Sequence, residues 1–461
     1  MKQIDLLDSP IFSSLTRLAL PIMGTSLIQM AYNLTDMIWI GRVSADAVAA
    51  VGAAGMYLWF ANGISSVPRL GGQVKTAHEL GRGDGTAASR YATGALQLSL
   101  LLGTLCTVIF LTFCTPLIAF FRLNQASVVA DAEVYLFIVA SGLLFSFFNQ
   151  VFSGLFAALG LSGVTFRCTM IGLAANIVLD PMLIFGVSIF PEMGVAGAAL
   201  ATVLAQLIVF LFFLQAAVCE PSLFGKVRMF AFQQRKIYSD IVRIGFFPAL
   251  QNTIFSSLSM LIARLVAGYG DAAVAVQKVG SQIESISWMA ADGFATATNV
   301  LIAQNFGAGR TDRVRLGYKA AMLLMTAWGV FTSALLIFAP EVIFRIFIQE
   351  PDVVRIGVDY LRILGVSQLF MCLEITSAGA FQGLGRPLVP SVCGILGNAA
   401  RIPLAIALSA TALGLNGIWW SISLSSIVKG IVVPVWFVVI LQQYLRSGKR
   451  SASAAIGRES L

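Results

Sequence analysis

Long apolar runs follow one another along this chain of 461 residues, each closed by a short polar segment. They fall at about 12–40, 46–74, 90–121, 132–160, 164–189 and 194–219, then at about 240–268, 273–305, 316–347, 354–384, 387–412 and 415–445. A helix needs about 20 apolar residues to cross a bilayer, so each run is long enough. Lipid offers no partner to backbone N–H and C=O groups, and a helix satisfies them within the segment. The runs are continuous rather than alternating, which excludes a transmembrane barrel. Charged residues make up only 11% of the chain and hydrophobic ones 58%. A soluble protein carries about 25% charge, so a cytosolic globule, a disordered chain and a secreted disulfide scaffold are excluded. The expected fold is an all-α membrane protein with twelve transmembrane helices in two pseudo-symmetric six-helix lobes.

The two lobes follow from an internal repeat. At an offset of 226 residues, AHELGRG at 77–83 faces AQNFGAG at 303–309. Pro21 faces Pro248, and Leu159 and Gly160 face Leu384 and Gly385. Gly172, Asn176 and Pro181 face Gly394, Asn398 and Pro403, and Gly194 and Gly197 face Gly414 and Gly417. A small, ordered drift of the offset marks duplication. The sequence divides into a lobe at 1–219, a polar linker at 220–239, a second lobe at 240–445 and a tail at 446–461. Six spans return the chain to its starting side, so the halves share an orientation and relate by an axis along the membrane normal. Such repeats enclose a cavity at their interface, the mark of a transporter.

Lysine and arginine number 30 against 22 acidic residues. In a membrane protein this excess reads as positive residues kept on the cytoplasmic side rather than as a nucleic-acid surface. Most of them fall in alternate connectors, including Arg69, Lys75, Arg82, Arg310, Arg313 and Arg315, which places both termini in the cytoplasm of an inner membrane. The first apolar run is too long, and its flanks too acidic, for a cleaved signal peptide. No nucleotide-binding glycine loop appears, so ATP is not the expected energy source. The six cysteines form no CxxC pair and read as small buried hydrophobes, and the one histidine, His78, is expected in a solvated loop. No zinc site, histidine-based triad or other cofactor is expected, and the chain is not expected to be an enzyme. Gly81 to Asp84 spell the GxGD pattern of intramembrane aspartyl proteases, but in a basic loop with no partner aspartate in a neighbouring span.

Ionisable groups inside spans are costly and ask for a role. Asp36 lies in YNLTDMIWIG of span 1 and Asp180 in ANIVLDPMLIFG of span 5. Asn176 precedes Asp180 by one helical turn, on the same face. Thr202 lies near the start of span 6. Two carboxylates, an amide and a hydroxyl in low dielectric suit either a proton or a hard cation such as Na⁺, so both stay open as the coupling ion. The second half carries a separate candidate polar set: Glu284 and Asp292 in span 8, Glu374 in span 10 and Gln251 in span 7, with Lys278, Arg401 and Lys429 as cations able to form internal ion pairs. Glu374 aligns with Asn149, so the chemistry diverged on a retained scaffold. Pro21 lies inside span 1, where a proline removes one helical bond and permits a hinge. The 33 Phe and 14 Met residues suit adaptable packing around bulky apolar cations.

The chain resembles the multidrug and toxic compound extrusion (MATE) transporter family over about 12–445. The likeness rests on the two six-span halves, the opening ALPIMGTSLIQMAYNLTDMIWIGRVSADAVAAVG, the paired loops AHELGRG and AQNFGAG, and GAFQGLGRP after span 10. Within the family it is similar to the DinF-like prokaryotic branch, whose first-helix aspartate is matched by Asp36. The resemblance implies export of small-molecule drugs, cationic and amphipathic, from a monomer in the lipid bilayer in exchange for H⁺ or Na⁺. It implies a cation-coupling cluster at Asp36, Asn176, Asp180 and Thr202, with bending at Pro21. The acidic positions of another bacterial branch in helices 7 and 10 are not reproduced, since span 7 has no acid and Glu374 is displaced. A lipid or polysaccharide-precursor flippase of the same superfamily is the alternative; it would grip phosphates with cations, and Lys278, Arg401 and Lys429 are the visible ones.

Overall fold

The computed structural model describes residues 4–121, 123, 125–186 and 191–459. They form helices and turns, with no strand among the described residues. The first half runs α1 (Ile11–Val43), α2 (Ala45–Gly81), α3 (Gly85–Thr112), α4 (Cys114–Ala119), α5 (Ala126–Ser141), α6 (Leu143–Ala158), α7 (Ser162–Ile184) and α8 (Gly194–Val218). A single helical turn, α9 (Pro221–Phe224), lies in the connector. The second half runs α10 (Arg235–Ala267), α11 (Asp271–Gly307), α12 (Thr311–Phe338), α13 (Pro340–Arg345), α14 (Pro351–Gly383), α15 (Leu388–Ser409) and α16 (Leu415–Glu459).

The duplication holds element by element. α2 and α11 each have 37 residues, α3 and α12 each 28, α4 and α13 each 6. Glycines of positive φ recur in pairs at the repeat offset: Gly83 at 78° with Gly309 at 72°, Gly160 at 77° with Gly385 at 73°, Gly194 at 52° with Gly414 at 50°. Left-handed backbone strongly favours glycine, so these pairs fix where each repeat turns. One element differs. α5 and α6 meet at Gly142 with a 49° bend, while their counterpart α14 is one unbroken helix of 33 residues. A Cβ at Gly142 would lie 2.5 Å from Val203 of α8, so only glycine lets α8 press into the bend.

Among the described residues ten helices are long and apolar enough to cross a membrane, and the bent α5–α6 pair makes eleven. The twelfth span is α11, equal in length to α2 and carrying Lys278, Glu284 and Asp292 within its run. Some of its polar side chains meet neighbouring helices. Ser287 meets Thr332 of α12 and Cys372 of α14, and Asn299 donates to Gln382 of α14.

Packing divides the chain into two units that cross the repeat boundary. Unit 1 holds Leu20–Ala249, and unit 2 holds Asp5–Ala19 with the residues from Leu250 onward. The start of α10 stays with unit 1 because two glycines bring backbones together. A Cβ at Gly245 would lie 2.1 Å from the Val67 carbonyl oxygen, and one at Gly71 2.1 Å from that of Ile241. Asp240 adds polar ties, accepting from Tyr91 at 2.8 Å and pairing with Lys75 at 3.2 Å. The connector is also docked. Ser89 donates to the Leu223 carbonyl at 2.7 Å, and Gln97 donates to those of Met229 and Ala231. Residues 5–10, just before α1, belong to unit 2, where Asn305 donates to the Leu6 carbonyl and Arg313 to that of Ser9. Arg310 pairs with Asp8 at 2.6 Å and holds its carboxyl below the usual value.

His78 departs from the loop expected for it. α2 continues through it to Gly81, and the ring is buried at 7% exposure. Its neighbour Glu79 is likewise buried and pairs with Arg82 one turn on, so this end of α2 is packed rather than solvated. All six cysteines are free, four of them buried; Cys219 is exposed.

Candidate functional site

Unit 1 gathers the four residues singled out in the first half, from three helices. α1 brings Asp36, α7 brings Asn176 and Asp180, and α8 brings Thr202. Small residues allow the approach. Gly24 of α1 sits on the Phe166 ring of α7, Gly172 of α7 lies against Val209 of α8, and Gly197 of α8 lies on the Leu183 carbonyl of α7. Asn176 and Asp180 are fully buried, and the Asn176 amide donates to Asp180 Oδ1 at 3.0 Å. Spacing of one turn on one helix produces that contact. The Thr202 hydroxyl donates to the Ala198 carbonyl at 3.0 Å.

Two tyrosines complete the cluster. Tyr32 of α1 and Tyr135 of α5 lie beside Thr202 and within electrostatic reach of both carboxylates. Tyr32 was legible, since it precedes Asp36 by one helical turn. Tyr135 carried no such signal; only packing of α5 against α8 brings it in.

Four polar atoms of this cluster are buried and lack a hydrogen-bond partner: Tyr32 Oη, Asp36 Oδ1, Asn176 Oδ1 and Asp180 Oδ2. A buried polar atom left unsatisfied costs about 1–3 kcal/mol. No ion pair reaches either aspartate among the described residues. α1 passes through Pro21 as one helix, and Thr25 donates its hydroxyl to the Pro21 carbonyl at 2.9 Å. Pro181, next to Asp180, likewise lies inside α7 and withholds an N–H from the helical ladder beside the cluster.

The second-half set is arranged differently. Glu374 of α14 pairs with Lys429 of α16 at 3.0 Å, and Lys429 also donates to Asn398 of α15 at 3.1 Å. Glu284 of α11 accepts from Gln368 of α14 at 3.4 Å and lies beside Tyr360, the repeat counterpart of Tyr135. Arg401 of α15 donates to the hydroxyls of Ser425 and Ser426 at 2.6 and 3.0 Å. Asp292 is exposed, two turns beyond Glu284 on α11, and Lys278 is exposed as well. Gln251 packs its amide against Gly394 of α15. Thus Glu284 and Glu374 enter an ionic network with Arg401 and Lys429.

Comparison with known proteins places this geometry among relatives. A family model described as MatE matches residues 21–182 and 248–407, one segment in each repeat. A probable multidrug resistance protein NorM of Thermotoga maritima is 28% identical over 459 residues, covering 96% of this chain and 94% of its own. An FAD transporter of Shewanella oneidensis is 25% identical over 440 residues, covering 92% of this chain and 94% of its own. A crystal structure of MATE in the bent conformation superposes with a TM-score of 0.90 over 97% of this chain and 99% of that chain. At 23% identity that likeness is one of fold.

Proposed function

Because this chain belongs to the MatE family of membrane transporters, we propose that it is a secondary multidrug efflux antiporter that exports cationic, amphipathic drugs in exchange for H⁺ or Na⁺. The observation that carries this reading is the buried oxygen cluster of unit 1 with its four unpartnered atoms. Two carboxylates with no cation paired to them gain by taking up a proton or Na⁺. A cationic drug competes for the same negative charge. Antiport then requires only that the two access states differ in affinity for ion and drug. Ion entry from outside rearranges the hydrogen bonds at Asp36 and Asp180, α1 yields at Pro21, and the drug leaves outward. Loss of the ion to the cytoplasm restores the drug-binding state. In this reading the chain works as a monomer in the inner membrane with both termini inside.

Efflux of ethidium from liposomes containing the purified protein tests the proposal. Imposed separately, a pH gradient and a Na⁺ gradient identify the ion. Asp36→Asn is expected to abolish coupled efflux while leaving the protein folded in the membrane. Undiminished drug export by that variant would falsify the assignment. Export failing under both gradients in the wild-type chain, with transport of a labelled lipid-linked precursor, would instead establish a flippase.

A further inference from the structure

Among the described large apolar side chains, Phe230 and Phe232 of the connector are the most exposed, at 98% and 95%. Their exposure follows from how the backbone around them is held. Leu223 is buried in a core cluster with Ala88, Ala92 and Phe156, and Phe224, Val227 and Met229 pack against that cluster. Gln97 of α3 donates to the carbonyls of Met229 and Ala231. Tyr238 of α10 donates to Gln97 at 2.6 Å and accepts from the Gln233 backbone N–H at 3.0 Å. Backbone on either side of each phenylalanine is therefore pinned, and neither ring can fold back without breaking these bonds.

The pinned segment sits at a defined height along α3. Lys226 donates to Thr86 in the first turn of that helix at 3.1 Å. Gln97 stands about 16 Å further along, at 1.5 Å per residue. The exposed surface of α3 changes character over that interval, from Arg90 before Gln97 to Leu100 and Leu101 after it. α10 changes in the same way, from exposed Arg235, Lys236 and Arg243 to exposed Phe246. A passage from exposed arginine to exposed apolar side chains marks the membrane–water boundary of a span. Phe230 and Phe232 are thus held where headgroups give way to acyl chains.

Charge selects the kind of surface they meet. Lys226, Arg228, Arg235 and Lys236 are all exposed, and no acidic residue occurs from 221 to 239. No carboxylate pairs with any of the four among the described residues. We propose that the connector is an anionic-lipid anchor: Phe230 and Phe232 enter the headgroup boundary, and Arg228, Arg235 and Lys236 lie on lipid phosphates. Apolar insertion and attraction to anionic headgroups add in such a contact, and each basic residue near the surface contributes about fivefold in partitioning. The anchor is independent of which ion or drug the chain carries.

Nitroxides attached at Phe230→Cys, at Phe232→Cys and, toward the water end, at Ser222→Cys test this in the full chain. Cys219→Ser removes the exposed native thiol from each. Collision with oxygen, which concentrates in lipid, and with a nickel chelate, which stays in water, reports depth. In nanodiscs of phosphatidylcholine with phosphatidylglycerol, the oxygen-to-nickel ratio at 230 and 232 is expected to exceed that at 222 about tenfold or more. Omitting phosphatidylglycerol, or combining Arg228→Gln, Arg235→Gln and Lys236→Gln, is expected to lower the ratio at 230 and 232 about threefold or more. Equal ratios at all three sites put the rings in water and overturn the proposal. A high ratio unmoved by lipid charge and by the triple variant overturns the assignment to anionic lipid. Shielding from both reagents, with dipolar broadening between labels, assigns the surface to a second copy and also overturns it. Should the labelled variants not fold, chymotryptic cleavage of the wild-type chain after Phe230 and Phe232 decides. Cleavage is expected to slow about threefold or more with phosphatidylglycerol, relative to a soluble peptide in the same sample. Equal rates in both lipids refute the anchor.

Discussion

Removing Lys429 or Glu374 alone strands a charge that the folded chain has taken out of water. The pair meets at 3.0 Å, and its side chains are only 8% and 11% exposed. At that separation the attraction is about 5–6 kcal/mol for an effective dielectric of about 20. Desolvation of two ions, several kcal/mol each, offsets most of it, so the intact pair contributes little net stability. A single substitution keeps one desolvation cost and loses the attraction, for a loss of about 3–5 kcal/mol. The surroundings set the order of the two variants. Glu374→Gln leaves Lys429 with the like charge of Arg401 nearby, whereas Lys429→Met leaves Glu374 near Arg401 of opposite charge. Glu374→Gln is therefore expected near the upper end of that range and Lys429→Met near the lower. The double variant is expected within about 1–2 kcal/mol of wild type, because an apolar methionine beside a neutral glutamine no longer strands a charge. Urea unfolding in mixed lipid–detergent micelles, read as a double-mutant cycle, measures these differences. A coupling below about 0.5 kcal/mol, with the double variant losing the sum of the singles, would refute the buried-pair argument. The reverse order of the two singles would refute the role given to Arg401.

Three further outcomes follow from local geometry. Gly245→Val places a side chain against the Val67 carbonyl, where even a Cβ would lie 2.1 Å away. Because backbone must shift, a loss above about 3 kcal/mol and no monodisperse protein on gel filtration are expected. Gly85→Ala, at a position with nothing within 4 Å, is expected to be silent or slightly stabilising. Arg310 holds the Asp8 carboxyl below its ordinary value, so the tie favours the folded state above the usual Asp range and is lost as pH falls through the lowered value. Mobility of a nitroxide attached at Ser9→Cys is expected to rise on acidification. Arg310→Gln should move that rise to higher pH, and an unmoved profile would contradict the pairing.

Much of the fold was legible because repetition is a property of sequence. Gly83 and Gly309, Gly160 and Gly385, and Gly194 and Gly414 are spaced by the repeat and all adopt positive φ. The break at Gly142 was not legible, since it depends on Val203, some sixty residues on, pressing on that glycine. The burial of His78 was missed because AHELGRG reads as a polar loop by composition, while in the fold α2 continues to Gly81. Asp36 and Asp180 stood out because a carboxylate in an apolar run is costly wherever it lies. Asn176 was fixed by helical spacing alone; the same spacing applies to Tyr32, one turn before Asp36, which the sequence reading passed over. Tyr135 could be placed only by the packing of α5 on α8. The pairing of Glu374 with Lys429, 55 positions apart, likewise needs the contact of α14 with α16. Mixed charges in one lobe announce a network, but which charges remain unpaired is decided by distances.

The central claim is that drug and coupling ion compete for the oxygen cluster of unit 1. Its direct test is cation release on drug binding. Ethidium is added to the purified chain in weakly buffered nanodiscs, with protons followed by a pH indicator and Na⁺ by an electrode in parallel. Binding is expected to release one of the two cations from wild type, and Asp36→Asn and Asp180→Asn are each expected to diminish that release. Drug binding with no release of either cation from wild type, or with undiminished release from both variants, would contradict the account.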